Sequence, residues 1–135
     1  ATRRSCARFK ENPVSVINFF EGTRFSKAKH ERQQSPFESL LKPRAGGAAF
    51  TLNAMDGAIK KLVDVTIVYP SGNSQFSDMF ANRIKKIAVH VRSIDIPEHF
   101  ITGDYENDPV FRAEIQAWVS QIWLDKDKKI TELSS

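Results

Sequence analysis

The sequence is poor in cysteine and has no long apolar run. Its single cysteine, Cys6, excludes an internal disulfide and fits a reducing compartment. A membrane-spanning helix needs about 18 or more consecutive apolar residues, and neither such a run nor a secretory signal peptide is visible. Membrane attachment, if the protein has any, is therefore expected to be peripheral or to lie outside these 135 residues.

Several catalytic signatures are also missing. There is no Gly-x-Ser-x-Gly nucleophile elbow and no Gly-x4-Gly-Lys-Ser/Thr phosphate loop, which argues against a serine hydrolase and against a nucleotide hydrolase. The three histidines and Cys6 lack zinc-site spacing, and the segment that begins His30-Glu31 ends without the second histidine of the H-E-x-x-H pattern. We therefore expect no bound metal.

Positive charge is concentrated in the first third of the chain. Residues 1–44 carry ten Lys and Arg against four Glu, whereas residues 45–135 carry ten against twelve acidic residues. A hydrophobic content of 41% places the chain among globular proteins, and its length corresponds to one domain. A local positive field attracts phosphate-bearing ligands or anionic lipid headgroups, although an ordinary solvated surface is the alternative.

The most informative motif is the tetrad Glu21-Gly22-Thr23-Arg24, which follows an apolar run. Residues 14–20 are rich in β-branched and aromatic side chains and predict a buried strand, so the tetrad should lie at the strand's C-terminal end, where ligands bind in open α/β sheets. Gly22 lets the backbone approach a ligand, and Arg24 supplies a planar fork for phosphate. We expect Glu21 to hold Arg24 or to accept a hydrogen bond from a substrate hydroxyl. A solvated turn with an ion pair is the alternative.

The tetrad resembles the third signature block of the glycerophospholipid acyltransferases. Residues 40–47 (LLKPRAGG) are similar to the Leu, Pro, Lys, Gly stretch that follows that block, and residues 65–70 (VTIVYP) to the fourth block, a strand that ends in Val-x-Pro. The three blocks stand in the family's order, and the resemblance covers roughly residues 8–75. Phe20 stands where many members have proline. Ser26 stands where the glycerol-3-phosphate enzymes often have a second arginine, which favours a lysophospholipid acceptor.

The resemblance implies a function in phospholipid biosynthesis. An acyl group would move from acyl-CoA or acyl carrier protein to a hydroxyl of a lysophospholipid such as lysophosphatidic acid, with no bound cofactor. Arg24 would bind the acceptor phosphate, with Glu21, Gly22 and Thr23 as its scaffold. Lys42 and Arg44, before Gly46-Gly47, are candidate secondary phosphate contacts, with solvated charge as the alternative. Val68 and Pro70 would line the pocket.

The family's catalytic base is a His-x4-Asp block upstream of the third block, and no histidine precedes Glu21. His90 and Asp95 match the spacing, but they lie in a stretch with the period of a strand, which places them on opposite faces and about 16 Å apart. We therefore expect residues 1–135 to be a single, soluble, inactive domain, the C-terminal part of a longer acyltransferase. That parent protein would lie on the cytoplasmic side of the membrane, peripheral or anchored by its N-terminal part.

The predicted fold class is α/β, a mixed or largely parallel sheet flanked by helices. Strands are expected at 62–69 and 85–96, a helix at 45–55 ended by Asp56-Gly57, and a long helix from Asp108-Pro109. A short helix is expected at 35–41, a loop at 25–34, and a short helix or loop at 76–80. The apolar stripe of the long helix predicts core packing, with a membrane-surface helix as the alternative; its members are Phe111, Ile115, Trp118, Val119 and Ile122.

A different class of function has to be kept beside the acyltransferase. Residues 1–44 could form a non-catalytic basic module that binds anionic lipid or nucleic acid. Phe19 and Phe20 are better explained as strand core than as stacking platforms, which leaves few exposed aromatic rings for bases. We therefore expect no nucleic-acid partner.

Overall fold

The structure is a computed structural model that describes residues 15–70, 84 and 86–135. In chain order its elements are α1 (Lys27–Gln33), α2 (Ala45–Met55), β1 (Lys61–Val68), β2 (Ala88–Asp95), α3 (His99–Thr102) and α4 (Pro109–Ser134). The predicted helix or loop at 76–80 lies outside the described residues.

The two predicted strands form within three residues of their expected bounds. β1 and β2 pair antiparallel, in a register that runs from Lys61 opposite Asp95 to Val68 opposite Ala88. The combination of helices with a sheet is confirmed, but the sheet formed by the described residues is two-stranded and antiparallel, not mixed or largely parallel. Its outer face is apolar and about half exposed, with side chains from Val63, Val65, Ile67, Val89 and Val91.

The long helix α4 covers the inner face of the sheet. It begins where expected, because the Asp108 carboxylate accepts hydrogen bonds from the backbone N–H groups of Val110 and Phe111 at 2.9 and 3.1 Å. Its apolar stripe is buried, with each side chain contributing roughly 1.5–3 kcal/mol, so core packing is confirmed. Four predicted members are buried, namely Phe111, Ile115, Val119 and Ile122, while Trp118 is partly buried against the core and Trp123, not predicted, is buried as well. In the described ranges, no helix is both long and apolar enough to cross a membrane.

Helix α2 has the predicted bounds and completes the core. It ends at Asp56 and Gly57, both in the left-handed region with φ of 45° and 80°. Its small residues allow close approach to α4, because Ala45, Ala49 and Leu52 share one buried cluster with Phe111, Ile115 and Val119.

The strand predicted at 14–20 is absent over its described part. Residues 15–19 have no regular secondary structure and pair with no strand among the described residues. Ile17 is 82% and Phe19 80% exposed, so this apolar run does not enter the core. Only its last residue does, since Phe20 packs on both buried clusters. The prediction was wrong because β-propensity in one segment cannot supply a neighbouring strand.

Two short segments also differ from the prediction. Residues 25–34 contain α1 instead of a loop, because the Ser26 hydroxyl accepts a hydrogen bond from Lys29 N (3.3 Å) and caps the helix. Residues 35–41 form bends instead of a helix. The amides of Glu38 and Ser39 donate to the distant Asp127 carboxylate at 2.6 and 2.8 Å, so α4 determines the path of this segment.

Candidate functional site

The Glu21-Gly22-Thr23-Arg24 tetrad forms a tight turn that we call the Gly22 turn, residues 20–24. The Gly22 N–H donates to the Phe19 carbonyl oxygen at 2.9 Å. Gly22 has φ of 66°, in the left-handed region, while a Cβ at this position would meet no atom within 4 Å. Glycine is therefore favoured by the backbone conformation and not by space.

Glu21 points into the protein and not toward Arg24. Its Oε1 accepts a hydrogen bond from the Leu41 N–H at 3.2 Å. The Trp123 indole N–H also faces this carboxylate, although without the geometry of a full hydrogen bond. Burial raises the pKa of Glu21 above its usual value, and the Leu41 bond, Trp123 and the positive charge of Lys126 partly oppose that rise. The expectation that Glu21 holds Arg24 was therefore wrong.

The second predicted part of the site lies directly beside this turn. The segment 41–45, which we call the basic strap, is joined to the turn at two points: the Glu21–Leu41 bond, and a 2.7 Å bond from Arg44 N–H to the Phe20 carbonyl oxygen. Phe20 also stacks on Trp123 of α4, with ring centroids 5.4 Å apart. The turn and the strap are thus fixed on one another and on the core.

The strap alternates between buried and exposed residues. Leu41, Pro43 and Ala45 are buried, whereas Lys42 and Arg44 are exposed. The Gln116 amide holds the buried side, since it donates to the Pro43 carbonyl oxygen at 3.2 Å and accepts from the Ala45 N–H at 3.3 Å. Two cationic side chains are consequently presented to solvent next to the Gly22 turn.

A further cation, Lys29, reaches the turn from α1. Its Nζ donates to the Thr23 hydroxyl oxygen at 2.7 Å and to the Arg24 carbonyl oxygen at 3.1 Å. The prediction of a loop at 25–34 gave no reason to single out Lys29. The available signal was Ser26, a good cap residue, followed by seven residues without β-branching, glycine or proline.

The cations of this surface have few counter-charges. Within the part of the chain that the structure describes, the side chains of Arg24, Lys42 and Arg44 form no ion pair. The carboxylate of the turn itself, Glu21, is turned inward. The result is an exposed, anion-attracting surface built from guanidinium, ammonium and hydroxyl groups.

Val68 and Pro70, the predicted pocket residues, lie at the end of β1 and just after it. Val68 is buried in the last position of β1, and Pro70 is partly buried two residues later. The residue of β1 that packs near the turn is Leu62, on the same buried cluster as Phe20. Val68 lies six residues, about 20 Å, further along the strand than Leu62, and no described hydrogen bond or ion pair joins Val68 or Pro70 to the Gly22 turn.

None of the described histidines forms a catalytic dyad. His90 lies on the inner face of β2, whereas Asp95 lies on the outer face in an ion pair with Lys61 (2.7 Å), as the strand periodicity predicted. The His30 Nε2 lies 2.6 Å from the Phe37 carbonyl oxygen. His99 and Glu114 are exposed, with Nε2 and Oε2 3.8 Å apart, beyond the roughly 3 Å of a working hydrogen bond. Among the described residues, no three potential ligands are grouped to hold a metal ion.

Comparison with known proteins points to lipid metabolism. The chain is 25% identical over 133 residues to the 2-acyl-1-lysophosphatidylinositol acyltransferase of Saccharomyces cerevisiae. The alignment covers 85% of this chain and 32% of the yeast protein, so the chain spans about a third of that relative's length. No protein-family profile and no solved structure matches the chain. The similarity supports a relation to glycerophospholipid acyltransferases, in agreement with the sequence resemblance.

Proposed function

We propose that this chain is the acceptor-binding part of a lysophospholipid acyltransferase. The observation that supports the proposal is the pairing of the Gly22 turn with the basic strap through two hydrogen bonds, with the side chains of Arg24, Lys42 and Arg44 exposed and without described ionic partners. Such a surface suits a phosphate monoester, because guanidinium groups bind phosphate through two parallel hydrogen bonds. The acceptor is a lysophosphatidic acid-like lipid, and acyl-CoA or acyl carrier protein is the donor.

The similarity to the yeast acyltransferase supports the same conclusion from a separate direction. A lysophospholipid presents its phosphate at the membrane surface, so the parent protein acts there, peripherally or through an anchor of its own. An exposed basic surface suits that position, because anionic lipids attract Lys and Arg by about 1 kcal/mol each near the bilayer. The cytoplasmic face is the proposed side, and no bound cofactor is needed for acyl transfer.

The catalytic base belongs to another part of the longer protein. Acyl transfer to a hydroxyl needs a general base within about 3 Å of that hydroxyl. No described histidine has a carboxylate partner at that distance, and the His90 and Asp95 side chains lie on opposite sides of the sheet. The 135-residue chain is therefore expected to bind the acceptor without turning it over. Acyl transfer by the purified chain that is lost in His90→Ala would contradict this.

The binding experiment compares Arg24→Ala with a matched control. Arg32 is exposed on α1, forms no hydrogen bond or ion pair with the Gly22 turn among the described residues, and gives the same change in net charge. Binding is measured to phosphatidylcholine vesicles that contain lysophosphatidic acid. We expect Arg24→Ala to weaken binding about tenfold or more, because a charge-assisted hydrogen bond contributes about 1.5–3 kcal/mol. Arg32→Ala should change it about twofold or less, an effect that salt removes.

The same titration tests the non-catalytic alternative. Affinity for DNA equal to that for the lysophosphatidic acid vesicles, with the same salt dependence, would show a general polyanion-binding module and would overturn the proposal. Equal losses of affinity in Arg24→Ala and Arg32→Ala would also overturn the proposal, because Arg24 would then contribute only its charge.

A further inference from the structure

Lys29 makes two hydrogen bonds that change what the Gly22 turn can offer to a ligand. Its Nζ lies 2.7 Å from the Thr23 hydroxyl oxygen and 3.1 Å from the Arg24 carbonyl oxygen. An ammonium group has three donors and no acceptor, so both oxygen atoms must accept. Lys29 is partly buried while Thr23 and Arg24 are exposed, so the ammonium supports the turn from one side.

The direction of these bonds has a consequence for the Thr23 hydroxyl. A hydroxyl has one donor and two lone pairs, and here one lone pair is taken by Lys29. Its own proton therefore points away from the ammonium and is available to donate to a group outside the turn. The Arg24 carbonyl, a second acceptor that would repel an anion, is likewise occupied. With Lys29 in place, the side chains exposed on the turn are hydrogen-bond donors.

We propose that Lys29 is a positioning residue of the anion site, one that fixes the Thr23 hydroxyl as a donor to a phosphate monoester. This rests on the function proposed above and assigns to α1 a part in that site. The residue acts in two ways. It orients the hydroxyl and masks the Arg24 carbonyl, and its positive charge adds to those of Arg24 and the basic strap.

The test is a double-mutant cycle with a soluble phosphate monoester. Glycerol 3-phosphate is titrated into the 135-residue chain, and its affinity is read from the NMR shifts of the Gly22, Thr23 and Arg24 amides. Lys29→Met removes the donor and the charge but keeps a side chain of similar length. Thr23→Val removes the hydroxyl, and the double variant carries both substitutions. Lys27→Met is the control, since Lys27 is exposed on the same short helix and forms no hydrogen bond or ion pair with the turn among the described residues.

We expect Lys29→Met to weaken binding about fivefold, which is the effect of losing one hydrogen bond to the ligand. Lys27→Met should weaken binding about twofold or less. In the Thr23→Val background, the Lys29→Met change should shrink toward the size of the Lys27→Met effect, because the part of the Lys29 contribution that acts through the hydroxyl is absent there. Lys29→Arg, which keeps the charge and the donor, should restore most of the affinity.

Two results would overturn the assignment. One is additivity of Lys29→Met and Thr23→Val, and the other is an equal loss for Lys27→Met and Lys29→Met. Circular dichroism and thermal melts of each variant identify any loss of fold. If Lys29→Met does not fold, the Lys29→Arg variant still tests the inference, because it should keep most of the affinity. An Arg24→Ala variant separates the two proposals. If Arg24→Ala weakens binding and Lys29→Met does not, only the inference on Lys29 fails, whereas no effect of Arg24→Ala removes the phosphate site itself.

Discussion

Removal of the buried Asp64 carboxylate should destabilise the protein far more than removal of an exposed carboxylate on the same sheet. Asp64 lies on the inner face of β1 and is 6% exposed. It accepts hydrogen bonds from Arg92 Nε at 2.9 Å and from Lys126 Nζ at 2.6 Å. These ion pairs connect β1, β2 and α4, so Asp64→Ala removes the anion that all three elements share.

The expected magnitude follows from what the two cations retain. Breaking a buried ion pair by removing one partner costs about 3–5 kcal/mol. Arg92 would keep its contacts with Asp125 (3.2 Å) and with the Ile122 carbonyl oxygen (2.8 Å), and Lys126 would keep the Val65 carbonyl oxygen (2.8 Å). Those contacts place the loss at the lower end, about 3 kcal/mol.

The control is Asp95→Ala, which removes a carboxylate of the same sheet. Asp95 is paired with Lys61, and the two side chains are 84% and 64% exposed, so their contribution is about 0–1 kcal/mol. The free energy of unfolding is measured by urea titration, followed through the fluorescence of Trp118 and Trp123. Equal losses for the two variants, or a loss below about 1 kcal/mol for Asp64→Ala, would refute the reasoning that burial makes the difference.

Two further predictions concern the turn and the core. Burial raises the pKa of Glu21 above 4.5, so its contribution to the free energy of unfolding is greatest below that pH and declines as the pH rises through the raised pKa. Urea titrations at several pH values should therefore show Glu21→Gln gaining stability relative to the wild type between about pH 4 and pH 7, and a constant difference would contradict this. Gly103→Ala would place a Cβ 1.9 Å from the Phe111 ring and should cost about 1–3 kcal/mol in thermal melts. Gly47 lies inside α2, and its added Cβ would meet only the flexible Asn18 amide at 3.4 Å, so Gly47→Ala should instead stabilise the protein by up to about 1 kcal/mol. A stability change of the same sign in both variants would contradict this reading of the two packing environments.

Local signals are sufficient to predict α2, α4 and the two strands. The Asp108 cap and Pro109 mark the start of α4, and Asp56-Gly57 marks the end of α2, because caps and left-handed residues act within a few positions of one another. β1 and β2 alternate between buried and more exposed positions, since one face packs on α4. In each of these elements the tertiary structure agrees with the local preference.

Long-range contacts explain the segments that sequence reasoning misjudged. Residues 35–41 begin with residues that favour a helix start. However, the Asp127 carboxylate, nearly ninety positions later, accepts hydrogen bonds from the amides of Glu38 and Ser39. The antiparallel pairing of the sheet also depends on how distant segments meet, and strand periodicity is the same in parallel and antiparallel sheets. No local pattern contains that information.

The candidate site could be predicted in part. The tetrad and the two strap cations were identified from sequence, and the structure places Lys42 and Arg44 beside the Gly22 turn. Gln116, which holds the strap through its amide, lies more than seventy positions away and leaves no sequence signal near the motif. The catalytic role of the parent and the pocket role of Val68 and Pro70 remain predictions that no contact of the described residues tests.

The inward direction of Glu21 explains how a carboxylate can belong to the proposed anion-binding motif. Beside a phosphate group, an ionised carboxylate would cost about 1–4 kcal/mol of repulsion at a distance of 4 Å in surroundings between water and a protein surface. The turn at Gly22 separates the tetrad into an inner half and an outer half. Glu21 lies beneath the turn and receives the Leu41 N–H, while Thr23 and Arg24 face solvent. In this arrangement the carboxylate contributes to the proposed phosphate site indirectly, because its hydrogen bond fixes the strap that carries Lys42 and Arg44.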